Sequence, residues 1–278
     1  MIYQKTCLPS PALRPFVAHY NFVSSDEAAS ELQLPPILFS GLAFLLEGSL
    51  DITSSNGSRY PDIKDWVSPV TTNPVKLSWS GQSSMISIQF WPGKFYEFFG
   101  WPQHLFLDDT VLLHETELEK EFTELFDQLH EAPDVKSRCD LLDTFLLQNY
   151  PEKKLYRHAI SGPVEKILKG QGQISLEGLM EESRYSERHF RRLFRESVGM
   201  NPYTFLRIIR FYKAFAIIKK GNFESLTDIS YKAGYFDQSH FIRDYKDFWN
   251  ILPGEVLDSK NQLALQLLEH TPGVGKIN

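Results

Sequence analysis

An internal repeat in the second half of the chain constrains its fold more than any other feature. Leu176, Leu179, Met180 and Tyr185 recur 50 positions later as Leu226, Ile229, Ser230 and Tyr235. His189, Phe190, Arg192 and Phe194 recur 51 positions later as His240, Phe241, Arg243 and Tyr245, and Pro202 recurs as Pro253. Self-similarity at a fixed period marks two copies of one supersecondary unit. The step from 50 to 51 requires one inserted residue, which falls near "GYFDQ" (234–238).

Each copy reads as a short helix with apolar residues three and four apart ("SLEGLMEES", "SLTDISYKAGY"), a tight turn, and a second helix. Ser186 opens the second helix in the first copy and Asp237 in the second, both good capping residues. Gly234 supplies positive φ at the second turn, where the first copy has Arg184. Helix, short turn, helix is the helix-turn-helix, whose second helix enters the DNA major groove. Between the copies, "NPYTFLRIIRFYKAFAIIKKGN" starts at an Asn cap with Pro at the first helical position and stops at Gly221. The helix predicted there has about 18 residues and spans roughly 27 Å. That length lets two units reach successive major grooves about 34 Å apart.

The stretch "RYSERHFRRLFRES" (184–197) packs five arginines into fourteen residues. At about 100° per residue, Arg188, Arg191, Arg192 and Arg195 share one face, with Phe190, Leu193 and Phe194 opposite. In the second copy Phe241, Tyr245 and Phe248 share a face, while Ser239, His240, Arg243, Lys246 and Asp247 spread over the other. An arginine stripe on an amphipathic helix is most often a solvated face. Duplication of the whole unit, with its caps and Pro in register, favours a DNA-facing role. Arginine suits it, because the planar fork can meet guanine O6 and N7 or clamp a phosphate. The net charge of −6 argues against a polyanion partner. The distribution argues the other way, since residues 161–258 hold 15 Lys and Arg against 13 Asp and Glu, and the rest 14 against 22.

Up to about Asp108 the chain reads as strands and turns: "VKLSWSG" and "MISIQFWPG" alternate apolar and polar residues, and "ILFSGLAFLL" (37–46) reads as a buried strand pair. A β-sandwich or barrel is expected. Leu118, Phe122, Leu125, Phe126 and Leu129, then Cys139, Leu142, Phe145 and Leu146, give helical periodicity and predict two antiparallel helices within 116–150. The fold class is therefore α+β. Its expected parts are a β-rich region with a helical pair (1–150), a linker (151–160), an all-α double helix-turn-helix region (161–258) and a frayed tail (259–278).

Residues from about 161 to 257 resemble the DNA-binding domain of AraC/XylS-family bacterial transcription regulators, on the strength of "DISYKAGYFDQSHFIRDYKDFWNILPGEV" (228–256). The resemblance implies seven helices forming two helix-turn-helix units. By position it places the family's base-reading and phosphate-contacting roles on Arg188, Arg191 and Arg192, and on Gln238, Ser239, His240 and Arg243; Arg195 joins them on the wheel. The chain departs from the family where a small alanine is usual, having Met180 and Ser230. "SPALRPFVAHYNFV" (10–23) and "ISIQFWPGKFYEFFG" (86–100) are similar to the cupin-like sensor domains that precede this module. That similarity makes the helical pair a candidate dimerisation element; packing on its own barrel is the equal alternative.

Other chemistry has little support. Cys7 and Cys139 lie 132 positions apart and form no CxxC pair, so ordinary reduced thiols are expected. No HxH pair, GxSxG, P-loop or dinucleotide fingerprint is present, and His104, His114, His130 and His158 are scattered singly. No metal, no cofactor and no catalytic residue is expected. Two isolated cysteines do not supply the activated thiolate of an Ada-type DNA-repair methyl acceptor, the enzymatic rival. A β-barrel that binds a small molecule without touching DNA would draw on Phe39, Phe44, Trp79, Phe90, Trp91 and Phe95, which are more often core than pocket. No export signal or span of ~20 apolar residues is seen, so a cytoplasmic, membrane-free bacterial regulator is expected, with activation or repression left open. Its expected partner is double-stranded promoter DNA, with RNA polymerase, a small-molecule effector and a second copy of the chain as further candidates.

Overall fold

The computed structural model describes residues 2–26, 29–150 and 160–256, together with Ala264. The expected linker apart from Ile160, the expected tail apart from Ala264, and the last residues of the expected 161–258 region lie outside the described residues.

Gly41 shows how the sheet begins. A Cβ there would sit 2.0 Å from the Ile88 carbonyl oxygen, so only glycine lets the two strands close. The stretch 37–46 is accordingly not a strand pair: Ile37 to Ser40 approach as irregular chain, and one strand, β4 (Gly41–Thr53), starts at the glycine. A short apolar run does not reveal by periodicity how many strands it holds. The other strands are β1 (Ile2–Cys7), β2 (Val17–Ser25), β3 (Ala29–Leu34), β5 (Arg59–Tyr60), β6 (Asp65–Ser68), β7 (Val75–Phe90) and β8 (Val111–Leu112). All pair antiparallel in one sheet of order β1-β2-β7-β4-β6-β8, with β3 on β7 and β5 on β4. The long β7 carries β4 along one edge; its other edge pairs with β3 over 75–80 and with β2 further on.

Alternation along β4 and β7 serves two faces. Leu42, Phe44, Ile86, Ile88 and Phe90 form a core with Phe95 and Phe98 of α1 (Lys94–Phe99). Phe122, Leu125 and Leu129 of α2 (Glu119–Glu131) and Leu142, Phe145 and Leu146 of α3 (Val135–Gln148) complete it. The helical pair thus packs on its own sheet through the positions its periodicity predicts. Asp143 pins α3, accepting hydrogen bonds from the Tyr20 hydroxyl at 2.6 Å and the Ser10 amide at 3.0 Å. One turn earlier Cys139 lies against Cys7 of β1, a contact invisible at 132 residues' separation. Burial and that neighbouring thiol push the Cys139 thiol up to about 12, so it stays protonated.

On the opposite face Ala43, Leu45, Ile52, Trp66 and Val75 form a smaller cluster beside a cavity of about 140 Å³. Of the six aromatic residues considered for a pocket wall, Phe39 alone lines it; Phe44, Phe90 and Phe95 belong to the core under the helices.

The C-terminal half is built from α4 (Ser161–Lys169), α5 (Leu176–Ser183), α6 (Glu187–Val198), α7 (Pro202–Lys220), α8 (Leu226–Ala233) and α9 (Gln238–Trp249), followed by a 3-10 turn at Pro253–Glu255. Six α-helices are therefore present in this half among the described residues, where the resemblance implies seven. The central α7 is buried on most sides through Phe205, Ile208, Phe211, Tyr212 and Phe215. Its core continues into Leu32, Leu38 and Val70 of the β-rich half. Across this seam the Tyr212 hydroxyl donates to the Pro36 carbonyl at 2.5 Å. Trp249 Nε1 donates to the Gln33 carbonyl at 3.0 Å, and Gln33 Nε2 donates back to the Trp249 carbonyl at 3.1 Å. Among the described residues no helix is long and apolar enough to cross a membrane.

Candidate nucleic-acid interface

The caps set the two units. Ser175 and Ser225 open α5 and α8, their hydroxyls accepting from the amides of Gly178 and Asp228 at 3.2 and 3.1 Å. Ser186 accepts from the His189 amide at 3.4 Å and Asp237 from the His240 amide at 2.8 Å, opening α6 and α9 as predicted. That amide holds the Asp237 carboxyl below its ordinary value. Asn201 caps α7 through the Thr204 amide, with Pro202 at the first helical position. Satisfying these otherwise orphaned amides fixes where each helix starts. The turns differ: Gly234 ends α8 at φ 90°, whereas Arg184 ends α5 at φ 58°, a left-handed position that costs a side chain about 1–2 kcal/mol.

Burial then sorts the side chains. In α6, Phe190, Phe194 and Val198 turn into the shared core, and Arg188, Arg191, Arg192 and Arg195 are exposed on the other side. Arg191 pairs with Glu187 at 2.8 Å and Arg192 with Glu196 at 2.6 Å, each one turn away on the same helix. Such exposed pairs are worth about 0–1 kcal/mol, so a phosphate or a guanine edge can displace them. Arg188 and Arg195 have no ion-pair partner among the described residues. In α9, Phe241, Tyr245, Phe248 and Trp249 are buried, while Ser239, His240 and Arg243 are exposed. Gln238 is half-buried and accepts from the Thr227 hydroxyl at 2.8 Å. All eight residues singled out from the sequence therefore lie on α6 and α9; seven are exposed, whereas Gln238, at the start of α9, is on the same side as Tyr245 and Trp249 and half-buried. The bridging α7 has 19 residues, about 28 Å of helix.

Sequence reasoning missed the ties that hold this surface. Arg207 of α7 donates to Asp244 at 2.6 Å and to Asp247 at 3.2 Å, and its guanidinium lies 5.0 Å from the Phe248 ring centre. Arg207 carried no signal beyond one charge on an apolar helix, and Asp244 sits amid aromatic core positions. Met180 and Ser230, where the family has alanine, differ in burial: Ser230 is fully buried and bonds back to the Thr227 carbonyl at 2.8 Å, whereas Met180 is half-buried.

A helix-turn-helix domain model matches residues 179–259, from within α5 past α9. A second model, a domain of unknown function named DUF6597, matches residues 5–112, which hold the whole sheet but its first residues. Curated proteins similar to part of the chain include an uncharacterized HTH-type transcriptional regulator of Haemophilus influenzae, 28% identical over 89 residues, 32% of this chain and 30% of that protein. The HTH-type transcriptional regulator MtrA of Neisseria gonorrhoeae is 23% identical over 110 residues, 40% of this chain and 35% of that protein. The chain thus spans about a third of the length of the curated relatives it matches. Among solved structures, ToxT from Vibrio cholerae aligns with a TM-score of 0.46 at 14% identity, covering 86% of this chain and 97% of that one.

Proposed function

We propose that the chain is a sequence-specific DNA-binding transcription regulator whose two units, carried on α6 and α9, read adjacent major grooves from one polypeptide. The observation that carries this reading is the pair of capped units, repeated at 50 to 51 residues, each turning an aromatic face into one core and a polar or basic face outward. Arg188, Arg191, Arg192 and Arg195 act in the first unit, and Gln238, Ser239, His240 and Arg243 in the second. Double-stranded promoter DNA is the partner, with RNA polymerase and a second copy of the chain as further partners, in the cytoplasm. The division into a β-rich region (1–150), a linker (151–160) and a DNA-reading region (161–258) belongs to the same reading. No enzymatic role is proposed, and the half-buried, protonated Cys139 thiol gives no support to a methyl acceptor.

The N-terminal half is proposed to sense a small molecule in its cavity. Among the described residues no Asp, Glu, Lys or Arg lines that cavity; its walls are mostly apolar, with His19, Asn21, Ser87 and Gln89 on one side and Tyr212 of α7 closing another. A dry apolar space of about 150 Å³ holds a benzene-sized molecule, and an uncharged ligand of that scale fits here. Because Tyr212 belongs to the bridging helix, an occupant would touch the DNA-reading half directly.

Selection of bound duplexes from a random library by the full chain, followed by titration of salt, tests the proposal. Two half-sites about 10 base pairs apart, with affinity falling steeply in salt, are the expected result. A single half-site would confine base reading to one unit, and the absence of any enriched sequence would overturn the reading.

A further inference from the structure

The single inserted residue that separates the two units is Phe236. The C-terminal caps Arg184 and Gly234 are 50 residues apart, whereas the N-caps Ser186 and Asp237 are 51 apart. The first turn therefore holds Tyr185 alone, and the second holds Tyr235 and Phe236. These two divide their roles sharply. Tyr235 is buried, its ring 5.6 Å from that of Phe241, and joins the turn to the core. Phe236 is 85% exposed, more than any other large apolar side chain among the described residues. The fold does not use this ring, and a turn residue such as Asn, Asp, Ser or Gly would serve the backbone there.

A scattered exposed apolar residue needs no account by itself. Here its place supplies one. Phe236 immediately precedes the cap of α9, and its ring lies 6.4 Å from the ring of His240 in the helix's first turn. The first unit repeats the arrangement: Tyr185 immediately precedes the cap of α6, is 37% exposed, and lies 4.8 Å from the ring of His189. Each candidate recognition helix thus starts with an aromatic ring set over its first-turn histidine. In helix-turn-helix proteins the N-terminal residues of the recognition helix reach the base edges. The one apolar group a base displays in the major groove is the 5-methyl of thymine, which phenylalanine can contact.

We infer that Phe236 is a specificity-determining residue of the second unit and reads a thymine methyl group at the edge of that unit's half-site. This rests on the DNA-reading function proposed above. It assigns apolar readout to a turn residue and leaves hydrogen-bonded readout to α9. It also makes the second unit discriminate by shape and apolar contact, which an affinity based on phosphates alone does not provide.

The test uses the full chain and its selected duplex. Each thymine in turn is replaced by deoxyuridine, which differs only by lacking the methyl. With the unaltered chain, one replacement in the second half-site should weaken binding about 4-fold, the effect of losing one buried methyl-sized contact. Phe236→Ser should bind the thymine duplex that much more weakly and show no further loss on the deoxyuridine duplex. Phe236→Leu should keep part of the methyl dependence. The exposed position makes these variants compatible with folding, which unchanged circular dichroism and melting temperature would verify. If Phe236→Ser remains as sensitive to deoxyuridine as the unaltered chain, or no thymine shows methyl dependence, the inference is overturned while the DNA-reading function stands. If the unaltered chain enriches no sequence at all, the function itself fails, and this inference with it.

Discussion

The two helix-turn-helix units share a plan and differ in where they place their charge. In the first, the charged groups of α6 are at the surface: four exposed arginines, two of them loosely paired with glutamates of the same helix. In the second, the decisive charge pair is internal. Arg207 reaches from α7 to Asp244 of α9, with side-chain exposures of 26% and 9%, and Trp249 at the end of α9 is bonded in both directions to Gln33 of the sheet. The first unit therefore leaves its charge at the surface, and the second uses charge to hold its helix in one orientation. One repeat, duplicated, carries its charge at the surface in the first unit and within the fold in the second.

The sharpest way to break this contrast is at the internal pair. Asp244→Ala strips Arg207 of its least solvated partner but leaves it Asp247, and should cost about 2–3 kcal/mol, read by urea unfolding, whereas Glu196→Ala on α6 should cost about 0–1 kcal/mol. Equal effects would mean the units are anchored alike. Next in size are the binding losses. Arg192→Ala and Arg243→Ala should each weaken the selected duplex by about 1–3 kcal/mol and relax preference at one base pair if each makes a base contact. A loss that is uniform over all sequences would make that residue a phosphate anchor. The turns come third. Arg184→Gly should stabilise the chain by about 1 kcal/mol through relief of its left-handed backbone. Gly234→Ala should destabilise it, because the added Cβ would meet the Gln173 side chain at 2.8 Å as well as the positive φ.

The smallest contrast is in acid. The Asp237 cap titrates and the Ser186 cap does not. The Asp237 carboxyl is held below its ordinary 3.8, so its contribution is complete above that pH and fades as pH falls through the lower folded value. Acid unfolding of Asp237→Ser should therefore converge with that of the unaltered chain at low pH, while the two differ near neutrality.

Much of the candidate interface was legible before any coordinates. The caps at Ser186, Asp237 and Asn201, the ends at Gly221 and Gly234, and the opposed aromatic and basic faces all follow from spacing along a helix, which a repeat prints twice. The eight candidate contact residues lie on the two helices that spacing assigned them to. The inserted residue was placed to within the turn, but that it is Phe236 and stands in solvent required the caps on both sides to be located. The stretch 37–46 was misread because an unbroken apolar run carries no mark of its own bends; the bend is decided by the Ile88 carbonyl, which leaves room only for a glycine.

What remained hidden lies between residues far apart in the chain. The Tyr212 hydroxyl meets the Pro36 carbonyl across 176 positions, Trp249 meets Gln33 across 216, and Cys139 meets Cys7. The amino-acid sequence by itself determined the secondary structure of the helical half, its duplication and the polarity of each face, because helix periodicity and capping act within a few residues. Tertiary structure alone decided the cavity, its closure by a helix of the C-terminal half and the internal anchoring of α9. Those depend on which buried polar group finds a partner once distant segments have packed, and no local pattern encodes that choice.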